Sequence, residues 1–223
     1  MKIYAFDGSP TSRIVLLFCS EERIEFDKVD VNLLQGAHLE PSYKAINPCS
    51  LVPVLEDGDF RLSESSTILK YLAEKFQSRA YPGETNSRAK VHEAMDWLNT
   101  SLYRVLGYNF IYPQIYPHHR REPEEVNQGT IRWGRERTGQ YLQLLDQHWL
   151  GKKRFLCGAE LTLADYFGAP IVALLDLVRA DLSKFENVSR WLGEMRKLRT
   201  WEAVHAIHNQ TVVSLADRKL VSL

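Results

Sequence analysis

The segment Asn47–Ser66, NPCSLVPVLEDGDFRLSESS, dictates much of what must surround it. A Val52-Pro53 pair enters a short aliphatic run, Asp57-Gly58 carries a hairpin-turn signal, and Ser63-Glu64-Ser65-Ser66 stands directly before an amphipathic helical pattern. An X-Pro bond prefers trans by only about 0.5 to 1 kcal/mol, so tertiary contacts can hold Val52-Pro53 in cis. The Val52 backbone groups then face outward, where an extended peptide could pair with them as an added strand. The hairpin returns the chain to Glu64-Ser65, a helix start whose free N–H groups and Ser65 hydroxyl suit a carboxylate. Glu64 can meet an ammonium. A ligand carrying an α-carboxylate, an α-ammonium and an extended amide backbone fits all three features.

Upstream, Lys2 to Phe6 reads as a first strand and Ile14 to Cys19 as the apolar heart of a first helix. The loop between them, Asp7-Gly8-Ser9-Pro10-Thr11-Ser12-Arg13, delivers hydroxyls to that helix's N-terminus. Phe26 to Asp30 suits a second strand, and Gln35-Gly36-Ala37-His38 a loop before a short, poorly patterned helix. Pro53 to Glu56 and Phe60 to Leu62 give two more strands, and Ser65 to Phe76 a helix with Ile68, Leu69, Leu72 and Phe76 on one stripe. The order β-α-β then β-β-α predicts a thioredoxin-like α/β domain over residues 1–77.

Residues 78–87, with Pro82-Gly83 among polar neighbours, read as a linker. Strand signals vanish beyond it, and residues 88–223 are expected to form an all-α helical domain. Arg88 to Arg104 and Glu124 to Trp149 are long helical patterns, separated by an aromatic stretch containing Pro113, Pro117 and Pro123. Thr162-Leu163-Ala164-Asp165 is a capping box flanked at the staple positions by Leu161 and Tyr166, and Pro170 is expected to kink or strain the helix that follows.

A chain of 223 residues suits two small domains sharing an interface, and 44% hydrophobic residues suffice for a core. Formal net charge is zero, so nothing favours a nucleic-acid or acidic-membrane partner. The opening MKIYAFDGSP lacks the apolar core of a signal peptide and no run is long enough to span a bilayer, which predicts a cytoplasmic protein. Three cysteines, Cys19, Cys49 and Cys157, without paired spacing read as free thiols, with no disulfide framework or metal site expected.

The segments KIYAFDGSPTSR, VDVNLLQGAH, INPCSLVPVLEDGDF and SESSTILKYLAEKF, followed by FLCGAELTLADYFGA and SRWLGEMRKL, resemble the soluble glutathione transferases, on their theta-like and delta-like serine branch. No single segment is decisive, but their order and spacing together are specific and cover nearly the whole chain. The resemblance implies glutathione as co-substrate, attack of its thiolate on a small hydrophobic electrophile, no metal, a two-fold homodimer and a role in detoxification. It also implies that the capped helix lies at the centre of the helical domain, where it serves folding. Alternatives on the same scaffold are a glutathione-dependent dehalogenase, peroxidase or isomerase, and, from another class, an interaction module that has lost catalysis.

Ser9-Pro10-Thr11-Ser12 stands where a thioredoxin-like redox protein carries Cys-x-x-Cys, with serine at both cysteine positions, so disulfide exchange is disfavoured. A serine still donates a hydrogen bond. Lowering a thiol pKa by about two units requires about 2.7 kcal/mol of thiolate stabilisation. One hydroxyl donor to a charged sulfur supplies roughly 1.5 to 3 kcal/mol and a helix N-terminus up to about 1 more. In the resembled pattern the catalytic serine precedes by four residues the arginine opening the first helix, which selects Ser9 before Arg13. Ser12 is then expected as a helix cap, with Ser12 or Tyr4 the alternative donors. His38 matches a histidine at the glycyl end of glutathione. Val52 and Pro53, Glu64 and Ser65, and more weakly Ser66, are the remaining glutathione-binding candidates. Relatives often place a cation at the positions of Ser50 or Leu51 to meet the glycyl carboxylate, and this chain has none there. Candidates for the electrophile pocket are Tyr103, Tyr108, Phe110, Tyr112 and Tyr116, from the end of the first long helix and the loop expected after it. His118-His119-Arg120-Arg121 reads as a solvated loop and Cys49 as inert.

Overall fold

The computed structural model describes residues Met1–Leu223. Strands β1 (Lys2–Ala5), β2 (Asp27–Asp30), β3 (Val54–Asp57) and β4 (Phe60–Ser63) form one sheet in the order β2-β1-β3-β4. β1 and β2 are parallel, which requires a crossover, and helix α1 (Pro10–Glu21) supplies it. β3 runs antiparallel to β1 with Tyr4 opposite Val54, and β4 returns antiparallel to β3 around Gly58, whose φ of 62° suits glycine. Side-chain alternation gives the sheet two covered faces. Ile3, Ala5 and Leu55 enter the main core, while Val54, Val52, Val31 and Tyr43 form a smaller cluster on the other face. Tyr43 is carried by α2 (Pro41–Lys44), which follows two single 3₁₀ turns at Leu33–Gln35 and Ala37–Leu39. His38 therefore sits in a turn of helix rather than in an open loop.

Helix α3 (Ser65–Lys75) buries Ile68, Leu69 and Leu72 as its periodicity predicts. Phe76, expected on the same stripe, is 44% exposed because the helix ends one residue before it. Helix α4 (Thr85–Trp97) continues without a break through wider π turns at Leu98–Tyr103 and Leu106–Ile111 into α5 (Tyr112–Ile115). The aromatic stretch expected as a loop is thus helical as far as Ile115. Helix α6 (Glu124–Leu144) ends in a π turn over Leu145–Leu150, and α7 (Leu163–Val172), α8 (Glu186–Arg196), α9 (Trp201–Val204) and α10 (Ala206–Ser214) complete the helical part.

Every residue of α7 is buried, so its polar start must be satisfied from within the protein. Asp165 does this. One carboxylate oxygen accepts the Leu156 N–H at 2.8 Å and the Trp191 indole N–H at 2.9 Å, and the other accepts the Thr162 N–H and hydroxyl, both at 2.9 Å. The Thr162–Asp165 capping box is therefore formed and extended to α8. Pro170 does not end the helix, which runs on to Val172 before tightening into 3₁₀ turns over Ala173–Val178.

The two parts share one core. Phe18 of α1 meets Tyr166 of α7 edge-on with ring centroids 5.4 Å apart, and the Leu163 N–H bonds the Ala80 carbonyl at 2.9 Å. Arg199 donates to the Ser20 carbonyl at 2.7 Å. No helix is long and apolar enough to cross a membrane.

Candidate functional site

The site begins where β1 hands over to α1. Ser9 has extended backbone angles (φ −79°, ψ 127°), Pro10 follows in the first helical turn with φ already fixed, and the Ser9 carbonyl receives the Arg13 N–H at 3.0 Å. Ser9 is thus the N-cap, and its hydroxyl accepts weakly from the Ser12 N–H at 3.5 Å. This corrects the expectation that Ser12 is the cap. Ser12 is fully buried, and its hydroxyl accepts the Phe6 N–H at 3.2 Å, tying the end of β1 to the helix. Tyr4, the other alternative donor, turns to Glu56 at 3.4 Å and lines neither cavity of the site.

Thr11, which the sequence did not single out, connects the loop to the hairpin. Its hydroxyl lies 2.8 Å from the Ser9 Oγ and donates to the Val52 carbonyl at 3.0 Å. Val52-Pro53 is cis. The preceding Leu51 carbonyl is fixed by the Tyr43 hydroxyl at 2.7 Å and the Asn47 amide at 2.8 Å, so the edge that carries Val52 is held from behind.

Glu64 holds φ 70° and ψ 110°, an unfavourable backbone for a residue with a Cβ, and its side chain caps nothing. That geometry delivers the first turn of α3, with buried Ser65, to a polar cavity of about 190 Å³. Thr11, Val52, Pro53, Glu64 and Ser65 line it from one side; Asn99 and Arg104 reach it from the helical part. Arg104 is the only cationic side chain on that lining, and its guanidinium makes no hydrogen bond or ion pair within the chain. Ser66 is half-buried and does not line the cavity.

A second, more apolar cavity of about 400 Å³ adjoins the first, sharing Thr11, Leu51, Val52, Tyr103 and Tyr108 with it. Its size falls in the range of small-molecule sites, roughly 300 to 1,000 Å³. Ser9 and His38 line it from the α/β part and Tyr103, Tyr108, Tyr112 and Tyr116 from the helical part. Phe110 is the exception among the aromatic candidates. It is fully buried in the core, because the π turn around it rotates its side chain inward. His118 and His119, expected in a solvated loop, also line the cavity. His119 is half-buried among Tyr108, Tyr112 and Tyr116, and burial followed by the charges of His118 and Arg121 lowers its pKa. Buried His208 of α10 and exposed Cys49 also line it.

Arg13 lies beneath these groups with no exposure, donating to the carbonyls of Gly8 at 3.1 Å and Pro170 at 3.4 Å. Burial lowers its pKa to about 10, which leaves it a cation at neutral pH. A thioredoxin-like domain with a hydroxyl at its helix start, and a helical domain closing an apolar cavity over it, form the two-domain arrangement that the resemblance implies.

The comparisons with known proteins agree. Residues 3–80 match the N-terminal domain model, and residues 111–198 the C-terminal domain model, of glutathione S-transferases. Glutathione S-transferase T1 of Arabidopsis thaliana is 32% identical over 214 residues, covering 88% of this chain and 83% of that protein. Human glutathione S-transferase theta-1 is 33% identical over 203 residues, covering 90% and 80%. Among solved structures, human glutathione transferase theta-2 in complex with glutathione superposes with a TM-score of 0.84 at 27% identity, covering 100% of this chain and 93% of that one. The chain belongs to the glutathione S-transferase family.

Proposed function

We propose that this enzyme is a glutathione transferase that holds glutathione across the polar cavity and the Ser9 and His38 edge of the apolar one, ionises its thiol with help from Ser9, and conjugates it to an electrophile in the rest of the apolar cavity. Its relatives bear the transferase name over most of their length, and the theta-2 structure contains glutathione. The observation that carries the reading here is the continuity of the two cavities across Thr11 and Val52, with Ser9 opening onto the apolar one at the start of α1. In this reading the Val52 backbone pairs the cysteinyl unit, and Ser65 with the free N–H groups of α3 meets the γ-glutamyl carboxylate. Glu64 meets the ammonium, and His38 the glycyl end. Arg104 stands in for the missing cation near Leu51. The sulfur then falls at the N-terminus of α1, where a hydroxyl and the helix dipole both favour negative charge.

The reading includes a cytoplasmic, two-fold homodimer burying the same patch on both subunits. Light scattering at micromolar concentration should give about twice the 25.8 kDa of one chain, and a monomer mass would contradict it. A crystal soaked with glutathione tests the site itself. The sulfur is expected within hydrogen-bond reach of the Ser9 Oγ, and a sulfur turned away from Ser9 would remove the proposed role.

A further inference from the structure

Three leucines stand outside the core on the α/β rim of the apolar cavity: Leu34 is 72% exposed, Leu39 54% and Leu51 55%. Large aliphatic side chains kept in water carry a cost, and exposed apolar surface grouped at one cavity marks ligand contact. The chain builds each position. Leu33 packs inward on the smaller core cluster, while the Asn32 side-chain oxygen accepts the Leu34 N–H at 3.0 Å and the Gln35 N–H at 3.3 Å, fixing the turn that carries Leu34. Gly36, at φ 77°, redirects the chain into the next turn, with His38 and Leu39. Ser50 takes φ 55°, unfavourable for a residue with a Cβ, immediately before Leu51, whose carbonyl Tyr43 and Asn47 then hold. His38, on the same rim, buries its Nδ1 without a hydrogen-bond partner, so a polar group is still missing there. No Lys, Arg, Asp or Glu lines this cavity; Arg104 lines the polar one, and Leu51 lines both.

We propose that the rim of Leu34, Leu39 and Leu51 binds an alkyl group carried on the glycyl carboxyl end, so that the thiol substrates of this protein include glutathione masked there as an ester or N-alkyl amide. The proposal rests on the glutathione-transferase reading above, which assigns the glycyl end to His38. A free carboxylate gains nothing from three leucines, which take away its water and offer no counter-charge. An ester or amide keeps a carbonyl oxygen for Arg104 on one side of Leu51 and lays its alkyl chain on the leucines on the other. An amide also brings an N–H that the unpaired His38 Nδ1 can accept. The thiol and the γ-glutamyl end are the same in masked and free peptide, so the chemistry at Ser9 is unaltered.

The test is a series, glutathione and its glycyl methyl, ethyl, propyl and butyl esters, titrated by calorimetry into the full-length protein without electrophile. From methyl to butyl, each added CH₂ should tighten binding by about two- to threefold, since full burial of one is worth up to about fourfold. Leu34→Ser with Leu39→Ser, both at side chains already more than half in water, should flatten the ester series to within about twofold overall. Affinity that stays level or falls as the chain lengthens would overturn the proposal. So would a rising series that survives the double substitution, because the alkyl group would then lie elsewhere. Absence of binding by glutathione and by all four esters would overturn the transferase reading as well.

Discussion

Ser9 Oγ lies 2.8 Å from Thr11 Oγ1, and the proton between them belongs to Ser9, because the single hydroxyl proton of Thr11 is committed to the Val52 carbonyl 3.0 Å away. The residue proposed to stabilise a thiolate therefore gives its proton to a neighbour in the free protein. A sulfur that enters must take that proton over. A charged acceptor wins such an exchange, since hydrogen bonds to ionised groups are roughly twice as strong as neutral ones.

Thr11→Val removes the competitor and frees the Ser9 proton before the ligand arrives. Turnover at neutral pH should stay level or rise by up to about tenfold, the range of one neutral hydrogen bond. Glutathione affinity should change little, because the Val52 carbonyl regains a free lone pair to offer the peptide. A tenfold fall in turnover would make Thr11 itself a donor to the sulfur.

Leu51 is 55% exposed and touches both cavities, while Arg104 reaches the polar one without a partner. Leu51→Lys should tighten glutathione binding by roughly 0.5 to 1.5 kcal/mol, and Arg104→Met should weaken it by a similar amount. Both effects should shrink with added salt. Calorimetry checks them. An unchanged affinity in Arg104→Met would remove Arg104 as the substituting cation, and no gain in Leu51→Lys would mean that position 51 faces away from the glycyl carboxylate.

His205 and His208 set the acid side of the stability curve. His205 is fully buried, stacked on Trp201 at 3.7 Å, and burial with the nearby Arg13 charge lowers its pKa to about 3; burial lowers that of His208 too, against the pull of Asp176. Above about pH 6.5 both rings are neutral folded or unfolded. Below it the unfolded chain takes up protons that the folded chain refuses, so stability falls as pH falls. Each histidine contributes at most about 1.4 kcal/mol per pH unit to that slope. His205→Phe, which preserves the stack, should flatten the decline of the urea midpoint between pH 7 and 5. An unchanged slope would contradict the assignment.

The sheet, the helix positions and the capping box were legible because each depends on local pattern: alternation at Ile3 and Ala5, a stripe at Ile68, Leu69 and Leu72, and a Thr162–Asp165 spacing that fixes a helix start. Ser9 and Ser12 were harder to separate. Two hydroxyls three residues apart both satisfy a capping pattern, and only the extended backbone at Ser9 decides between them. Phe110 was misplaced because π turns depart from the 3.6-residue period, so one aromatic in the run turns inward while its neighbours line the cavity. The five-residue spacing of Tyr103 and Tyr108 is the trace such a turn leaves in the sequence. Thr11 and Arg104 carried no comparable signal. Their importance comes from what the fold brings to them, the Val52 carbonyl in one case and the first turn of α3 in the other.

The pKa of the bound glutathione thiol, followed by ultraviolet titration in wild type and in Ser9→Ala, tests the central claim most directly. Wild type should hold it about two units below its free value, equivalent to about 2.7 kcal/mol of thiolate stabilisation. Ser9→Ala should return most of that shift, lower turnover at neutral pH by about ten- to a hundredfold, and leave glutathione affinity nearly intact, since the peptide's other contacts are untouched. A bound thiol whose pKa is the same in both proteins would contradict the account.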